Sequence, residues 1–136
     1  DGGAAIVRER PLRGTRVLVV EDDADARAMI SDALAGAGAR VTSAGSAGEG
    51  VDRLLDDPPN VLVSDIGMAG EDGYTMLRRI RALPPEKGGD VPAIALTAYA
   101  REEDVRKAEQ AGFQIHVVKP VRIDALIDAV ASCVKT

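Results

Sequence analysis

From position 16 onward, short apolar runs trade places with longer stretches in which apolar residues recur every three or four positions, and the exchange happens five times. Val17-Leu18-Val19-Val20, Val61-Leu62-Val63 and Ala93-Ile94-Ala95-Leu96 contain no polar position. Such runs suit strands covered on both faces of a parallel sheet. Ile115 to Val118 reads the same way, interrupted by His116. Arg40-Val41-Thr42-Ser43-Ala44 alternates instead, which suits an edge strand.

A helical pattern follows each run. Met29, Ile30, Ala33, Leu34 and Ala37 share one face of a first helix, stopped at Gly38. Ser46-Ala47-Gly48-Glu49 has the form of a capping box and precedes Val51, Leu54 and Leu55. Leu77, Ile80 and Leu83 mark a third helix, ended by Pro84-Pro85. Arg101 to Ala111 is rich in charge, has only Val105, Ala108 and Ala111 to bury, and meets its stop at Gly112. Its thin apolar content predicts weak anchoring and an element able to shift. Ile123, Leu126, Ile127, Val130 and Val134 form a clean stripe for the last helix.

Five strand–helix units predict an α/β fold: a (βα)5, doubly wound, five-stranded parallel sheet of flavodoxin-like order 2-1-3-4-5, with Arg40 to Ala44 at an edge. Residues 1–14 lack periodicity, carry Gly2, Gly3, Pro11 and Gly14, and read as a linker; 15–136 read as the folded domain. A chain that opens on Asp1 reads as a piece excised from something longer.

Composition narrows the picture. The 136 residues are 46% hydrophobic and only 2% aromatic, so the core must be aliphatic. A net charge of −5 argues against direct binding of nucleic acid, which calls for a basic face. Cys133 is the only cysteine, so no internal disulfide can form; it lies off its helix's stripe and reads as an inert thiol. No apolar run reaches membrane-spanning length and no secretory pattern is present. A cytoplasmic setting without membrane contact by this domain is the expectation.

In the predicted fold, ligands sit beyond the carboxyl ends of the strands, where strand order reverses. Those ends carry Glu21, Asp22 and Asp23 after the first strand, Asp65 after the third, Thr97 after the fourth and Lys119-Pro120 after the fifth. Two carboxylates about 4 Å apart repel by roughly 4 kcal/mol at an effective dielectric near 20. A hard divalent cation relieves that repulsion, and Mg2+ favours oxygen ligands and works beside phosphate. An acidic nest, a carboxylate free to attack, a hydroxyl and an ammonium make a set suited to phosphoryl transfer, with Asp65 as nucleophile. Asp23 could equally cap the following helix, and Thr97 could do the same for its own. The Lys119–Pro120 bond is a candidate for cis, a structural role for Pro120.

Val19-Val20-Glu21-Asp22-Asp23, Val63-Ser64-Asp65-Ile66-Gly67-Met68, Asp72-Gly73, Ala95-Leu96-Thr97-Ala98 and Val118-Lys119-Pro120 together resemble a response-regulator receiver domain of bacterial two-component signalling. The resemblance runs from about Arg16 to Val134. It implies that Asp65 accepts the phosphoryl group, that Asp22 binds Mg2+ directly and Glu21 through water, and that the Gly67 backbone carbonyl completes the protein ligands. It further implies that Thr97 bonds the phosphoryl group and moves on activation, that Lys119 pairs with Asp65, and that His116 stands where the family has a switching aromatic side chain. The donor would be a phosphohistidine of a histidine kinase transmitter or a histidine phosphotransfer domain. The partner surface, including that of a receiver dimer, would be the fourth helix, fifth strand and fifth helix. Such a domain catalyses its own phosphorylation and dephosphorylation but is chiefly a signalling switch.

Three departures matter. Ala69 replaces a proline common in relatives, which loosens the loop. Gly67 and Tyr99 stand two residues past Asp65 and Thr97, where side chains govern attack of water on the acyl phosphate. Gly67 offers nothing to position a water, so autodephosphorylation should be slow to moderate. The stretch Ala111-Gly112-Phe113 through His116 to Val121 looks like receivers at the C-terminal end of hybrid sensor kinases, with a separate response regulator as the other setting.

Other readings fit less well. An FMN-binding protein of this fold wants Ser, Thr and Gly after its first strand, where this chain has three acids. A hydrolase with an Asp nucleophile commonly wants a second Asp where Gly67 stands. A pseudo-receiver that only binds partners is the alternative, but all five expected functional side chains are present.

Overall fold

A computed structural model describes residues 10–98 and 101–134. Five parallel strands, β1 (Arg16–Val20), β2 (Arg40–Ala44), β3 (Val61–Asp65), β4 (Ala93–Thr97) and β5 (Ile115–Val118), form one sheet in the order β2-β1-β3-β4-β5. The helices between and after them are α1 (Ala24–Gly36), α2 (Ala47–Asp56), α3 (Gly73–Arg81), α4 (Glu102–Ala111) and α5 (Ile123–Val134), with a single 3₁₀ turn at Pro85–Lys87. The flavodoxin-like architecture and strand order are those the hydrophobic pattern predicts.

The alternation of side chains along each strand divides the core into two layers. Val17, Val19, Val61, Val63, Ile94 and Leu96 face one way, onto Ile30 and Leu34 of α1 and Leu126 and Val130 of α5. Leu18, Val20, Leu62, Ala93 and Ala95 face the other way, onto Val51 and Leu54 of α2, Met76, Leu77 and Ile80 of α3, and Ala108 and Ala111 of α4. Every residue of β3 and β4 is buried, whereas β2 alternates as an edge should. The other edge, β5, is only half buried although three of its four residues are apolar, because no further strand among the described residues covers its flank.

Local chemistry sets the ends of the helices. Asp23 caps α1, its Oδ1 accepting from the Asp25 and Ala26 amides at 3.0 and 3.4 Å. Ser46 Oγ accepts from the Glu49 amide at 3.2 Å, and Glu49 reaches back to the Gly45 amide at 2.8 Å, one residue earlier than the usual reciprocal bond. Asp72 caps α3 through the Thr75 amide at 2.8 Å. Gly112 ends α4 at φ 115°, a conformation that a side chain would strain.

Two expectations need adjusting. Met29 is 50% exposed and does not line the buried face of α1, and Leu55 likewise points outward at 45%. Gly38 does end α1: at φ 106° it follows the Ala37 cap, its amide donating to the Ala35 carbonyl at 3.0 Å and the Ala39 amide to the Leu34 carbonyl at 3.1 Å. Of the expected linker, residues 1–9 lie outside the described residues, but Leu12 is wholly buried beneath α1 and donates its amide to the Ala37 carbonyl at 2.9 Å. Arg10 to Gly14 is thus packed onto the domain as a turn.

Candidate functional site

The carboxyl ends of β1, β3, β4 and β5 bring Glu21, Asp22, Asp65, Thr97 and Lys119 to one rim. Asp65 is the last residue of β3, in register with Leu96 of β4, and Thr97 is the last of β4, in register with Val118 of β5, so a sheet neighbour holds each backbone. Both side chains are buried, as is Glu21 at 1% exposure, whereas Asp22 is exposed. Carboxylate oxygens of Glu21, Asp22 and Asp65 all lie within 4.8 Å of one another. Lys119 Nζ stands 2.9 Å from Asp65 Oδ1 and 3.4 Å from Glu21 Oε1. The Lys119–Pro120 bond is cis.

The electrostatics follow from burial and from these few partners. Burial raises the Glu21 pKa, and the neighbouring Asp65 pushes the same way, against the Asp23 amide and Lys119. Burial alone would lower the Lys119 pKa, but its hydrogen bond to Asp65 and the charges of Asp65 and Glu21 carry it above the ordinary value. Asp22 is held below the usual carboxylate range, chiefly by the Ala69 amide, which donates to its Oδ2 at 3.0 Å. One carboxylate is thus kept ready for a cation by the loop that follows Asp65. Three carboxylates of hard oxygen donors around one point fit a magnesium ion, which the single ammonium of Lys119 cannot fully replace.

Several contributors were not singled out by sequence reasoning. A cavity of about 410 Å³ opens beside Asp65, lined also by Gly67, Tyr74, Thr97, Asp104, Lys107 and Lys119. Tyr74 is 8% exposed at the start of α3, and Lys107 of α4 sits 4.8 Å from its ring centroid. A narrower gap is shared by Tyr74, Thr97, Asp104 and His116, which is half-buried on β5. Arg27, one turn into α1, donates to the Glu21 carbonyl at 2.8 Å and braces the acidic loop. For Tyr74 the only sequence signal was an aromatic residue straight after Asp72-Gly73 in a chain nearly without aromatics. Gly67 is exposed, and a Cβ there would meet nothing within 4 Å. Tyr99 lies outside the described residues.

A family model described as the response regulator receiver domain matches residues 17–131. The chain belongs to the response regulator receiver domain family. Among the receiver's relatives is an uncharacterized 14.6 kDa protein from the sodA1 3′ region of Leptolyngbya boryana, 47% identical over 105 residues, covering 77% of this chain and 79% of that one. The probable histidine kinase 2 of Oryza sativa subsp. indica is 33% identical over 144 residues, covering 96% of this chain. The transcriptional regulator NtrC of Klebsiella pneumoniae is 36% identical over 84% of this chain. The receiver spans only 14% of that kinase and 24% of that regulator. The similarity to a histidine kinase supports the expected likeness to receivers of hybrid kinases. Among solved structures, a Francisella response regulator receiver domain superposes with a TM-score of 0.80 at 26% identity, covering 88% of this chain and 96% of that one. Chemotaxis protein CheY4 of Vibrio cholerae shares the fold, with a TM-score of 0.83 at 23% identity over 88% of this chain and 98% of that one.

Proposed function

We propose that this receiver takes a phosphoryl group from a phosphohistidine onto Asp65 and changes its partner surface in response. The observation that carries the proposal is the setting of Asp65: a nearly buried carboxylate held at 2.9 Å by Lys119 and flanked within 4.8 Å by two further carboxylates. An Asp65 oxygen attacks phosphorus in line with the scissile bond. The O–P bond forms as the P–N bond to histidine breaks, and its electron pair returns to the imidazole. Glu21, Asp22 and Asp65, with the Gly67 carbonyl, would hold Mg2+, which supplies neutralisation of charge on the transferring phosphoryl oxygens. Lys119 holds the attacking oxygen in place and adds a positive charge to meet the new negative one. Thr97, at the cavity wall, donates its hydroxyl to the phosphoryl group, and His116 shares the gap behind it, a position suited to sensing Thr97 movement.

The partner would be a histidine kinase transmitter or a histidine phosphotransfer domain in the cytoplasm. The responding surface is α4, β5 and α5, where a receiver dimer could also form. No helix among the described residues is long and apolar enough to cross a membrane. Labelling with a small acyl phosphate tests the proposal directly. Asp65 should be phosphorylated in MgCl2, not in EDTA, and not in Asp65→Asn. A wild-type chain that stays unlabelled in Mg2+ would favour a pseudo-receiver that only binds partners.

A further inference from the structure

We propose that the receiver carries a second anion site, at the opposite end of the sheet from Asp65, built from Arg16, Arg40 and Arg53 and sized for one phosphate group. A cavity of about 180 Å³ opens there, lined by these three arginines with Thr42, Asp57 and Pro59. Arg16 and Arg40 are the first residues of β1 and β2 and are direct register partners. Registered residues of parallel strands point to the same face, and two steps along that face are Leu18 and Thr42, then Val20 and Ala44. That is the face covered by α2, from which Arg53 reaches the same cavity. Like charges placed directly across a strand pair are unfavourable, so the pairing of Arg16 with Arg40 needs compensation.

The acidic groups nearby supply only part of it. Asp57 is the one carboxylate in the lining and is taken by Arg16 at 2.8 Å. Glu49, one turn back on α2, takes Arg53 at 3.3 Å. Arg40 has no acidic partner among the described residues, and a positive charge is left over in a chain whose net charge is −5. Guanidinium groups match the oxygens of phosphate with paired hydrogen bonds. The Thr42 hydroxyl adds a neutral donor in the same lining. The volume falls below the roughly 300–1,000 Å³ of sites for drug-sized ligands, so the ligand is a compact tetrahedral oxyanion or the phosphate end of a monoester.

Amide NMR titration of the labelled chain with sodium phosphate, at fixed pH and ionic strength, reads this site apart from the one at Asp65. Saturable shifts are expected at 16–18, 40–42 and 53–60, weakened at least tenfold in Arg40→Gln and in Arg53→Gln. Asp65 labelling should be unchanged in both variants. Sulfate competing for the same shifts supports a site selected by charge and shape. Tighter binding of phenyl phosphate assigns the site to a monoester, and equal binding assigns it to the free ion. Shifts that never saturate, shifts confined to the rim around Lys119, or undiminished affinity in both variants would overturn the proposal.

Discussion

The charge of Glu21 should destabilise the metal-free receiver, and Glu21→Gln should therefore stabilise it. Taken at 4.8 Å, the distance within which one oxygen of each of the three carboxylates lies from the others, each like-charge pair repels by about 3.5 kcal/mol at an effective dielectric near 20. Glu21 faces two such neighbours. Its attraction to Lys119 at 3.4 Å returns about 5 kcal/mol on the same scale, leaving about 2 kcal/mol of net repulsion. The exposure of Asp22 weakens one repulsion, and sharing of a one-third exposed Lys119 with Asp65 weakens the attraction. Burial adds to the cost of the Glu21 charge, in the same direction as its raised pKa. Gln keeps an oxygen to accept the Asp23 amide, a bond of 3.2 Å in the parent. Urea denaturation in EDTA should find the variant more stable by about 1–2 kcal/mol. The pH dependence has a definite sign. As pH rises from 4.5 through the raised folded value, the unfolded chain releases the Glu21 proton before the folded one does, so the Glu21 contribution to wild-type stability in EDTA falls across that window, and the variant lacks that fall. In saturating MgCl2 the order should reverse, because the ion binds a site with one charge fewer. A variant less stable than wild type in EDTA would refute the reasoning, as would an equal gain from Mg2+ in both proteins.

Gly67→Asn should fold normally, since a Cβ at Gly67 meets nothing within 4 Å, and should shorten the lifetime of phospho-Asp65; a longer lifetime in the variant would count against the slow-hydrolysis reading. Asp72→Ala should cost about 1 kcal/mol in urea denaturation through loss of the α3 cap. Because the Thr75 amide lowers the Asp72 pKa, that contribution is present above pH 3.8 and is lost as pH falls through the lowered folded value, which a pH series of the two proteins would resolve. Gly73→Ala places a Cβ 2.5 Å from the Asp65 carbonyl oxygen, a backbone clash expected to cost about 1–3 kcal/mol and to slow labelling of Asp65 more than Gly67→Asn does. Hydrogen exchange should change in α4 when a phosphoryl mimic is added, and unchanged protection there would argue against a mobile α4.

The fold was legible because short apolar runs without polar positions have few homes other than the middle of a parallel sheet. Val61 to Val63 and Ala93 to Leu96 lie there, and the alternation of Arg40 to Ala44 marked its edge. Periodicity misplaced Met29 and Leu55 because it gives the phase of a stripe and not its width. Leu12 escaped notice because a single buried residue in a turn leaves no period at all. The acidic rim was legible because each member ends a strand or follows one within two residues. Tyr74, Lys107 and Arg27 were not, because each reaches the site from a helix, and the contact that places it there is tertiary.

The complete burial of β3 and β4 has a mechanical consequence. Asp65 and Thr97 sit at the tips of two bars buried along their whole length. A group added at such a tip cannot be accommodated by bending the bar. The displacement would pass to whatever is compliant beside it, and α4, whose only fully buried residues are two alanines, is the helix expected to yield. Stiffness in the sheet is therefore what gives a change of a few atoms its direction.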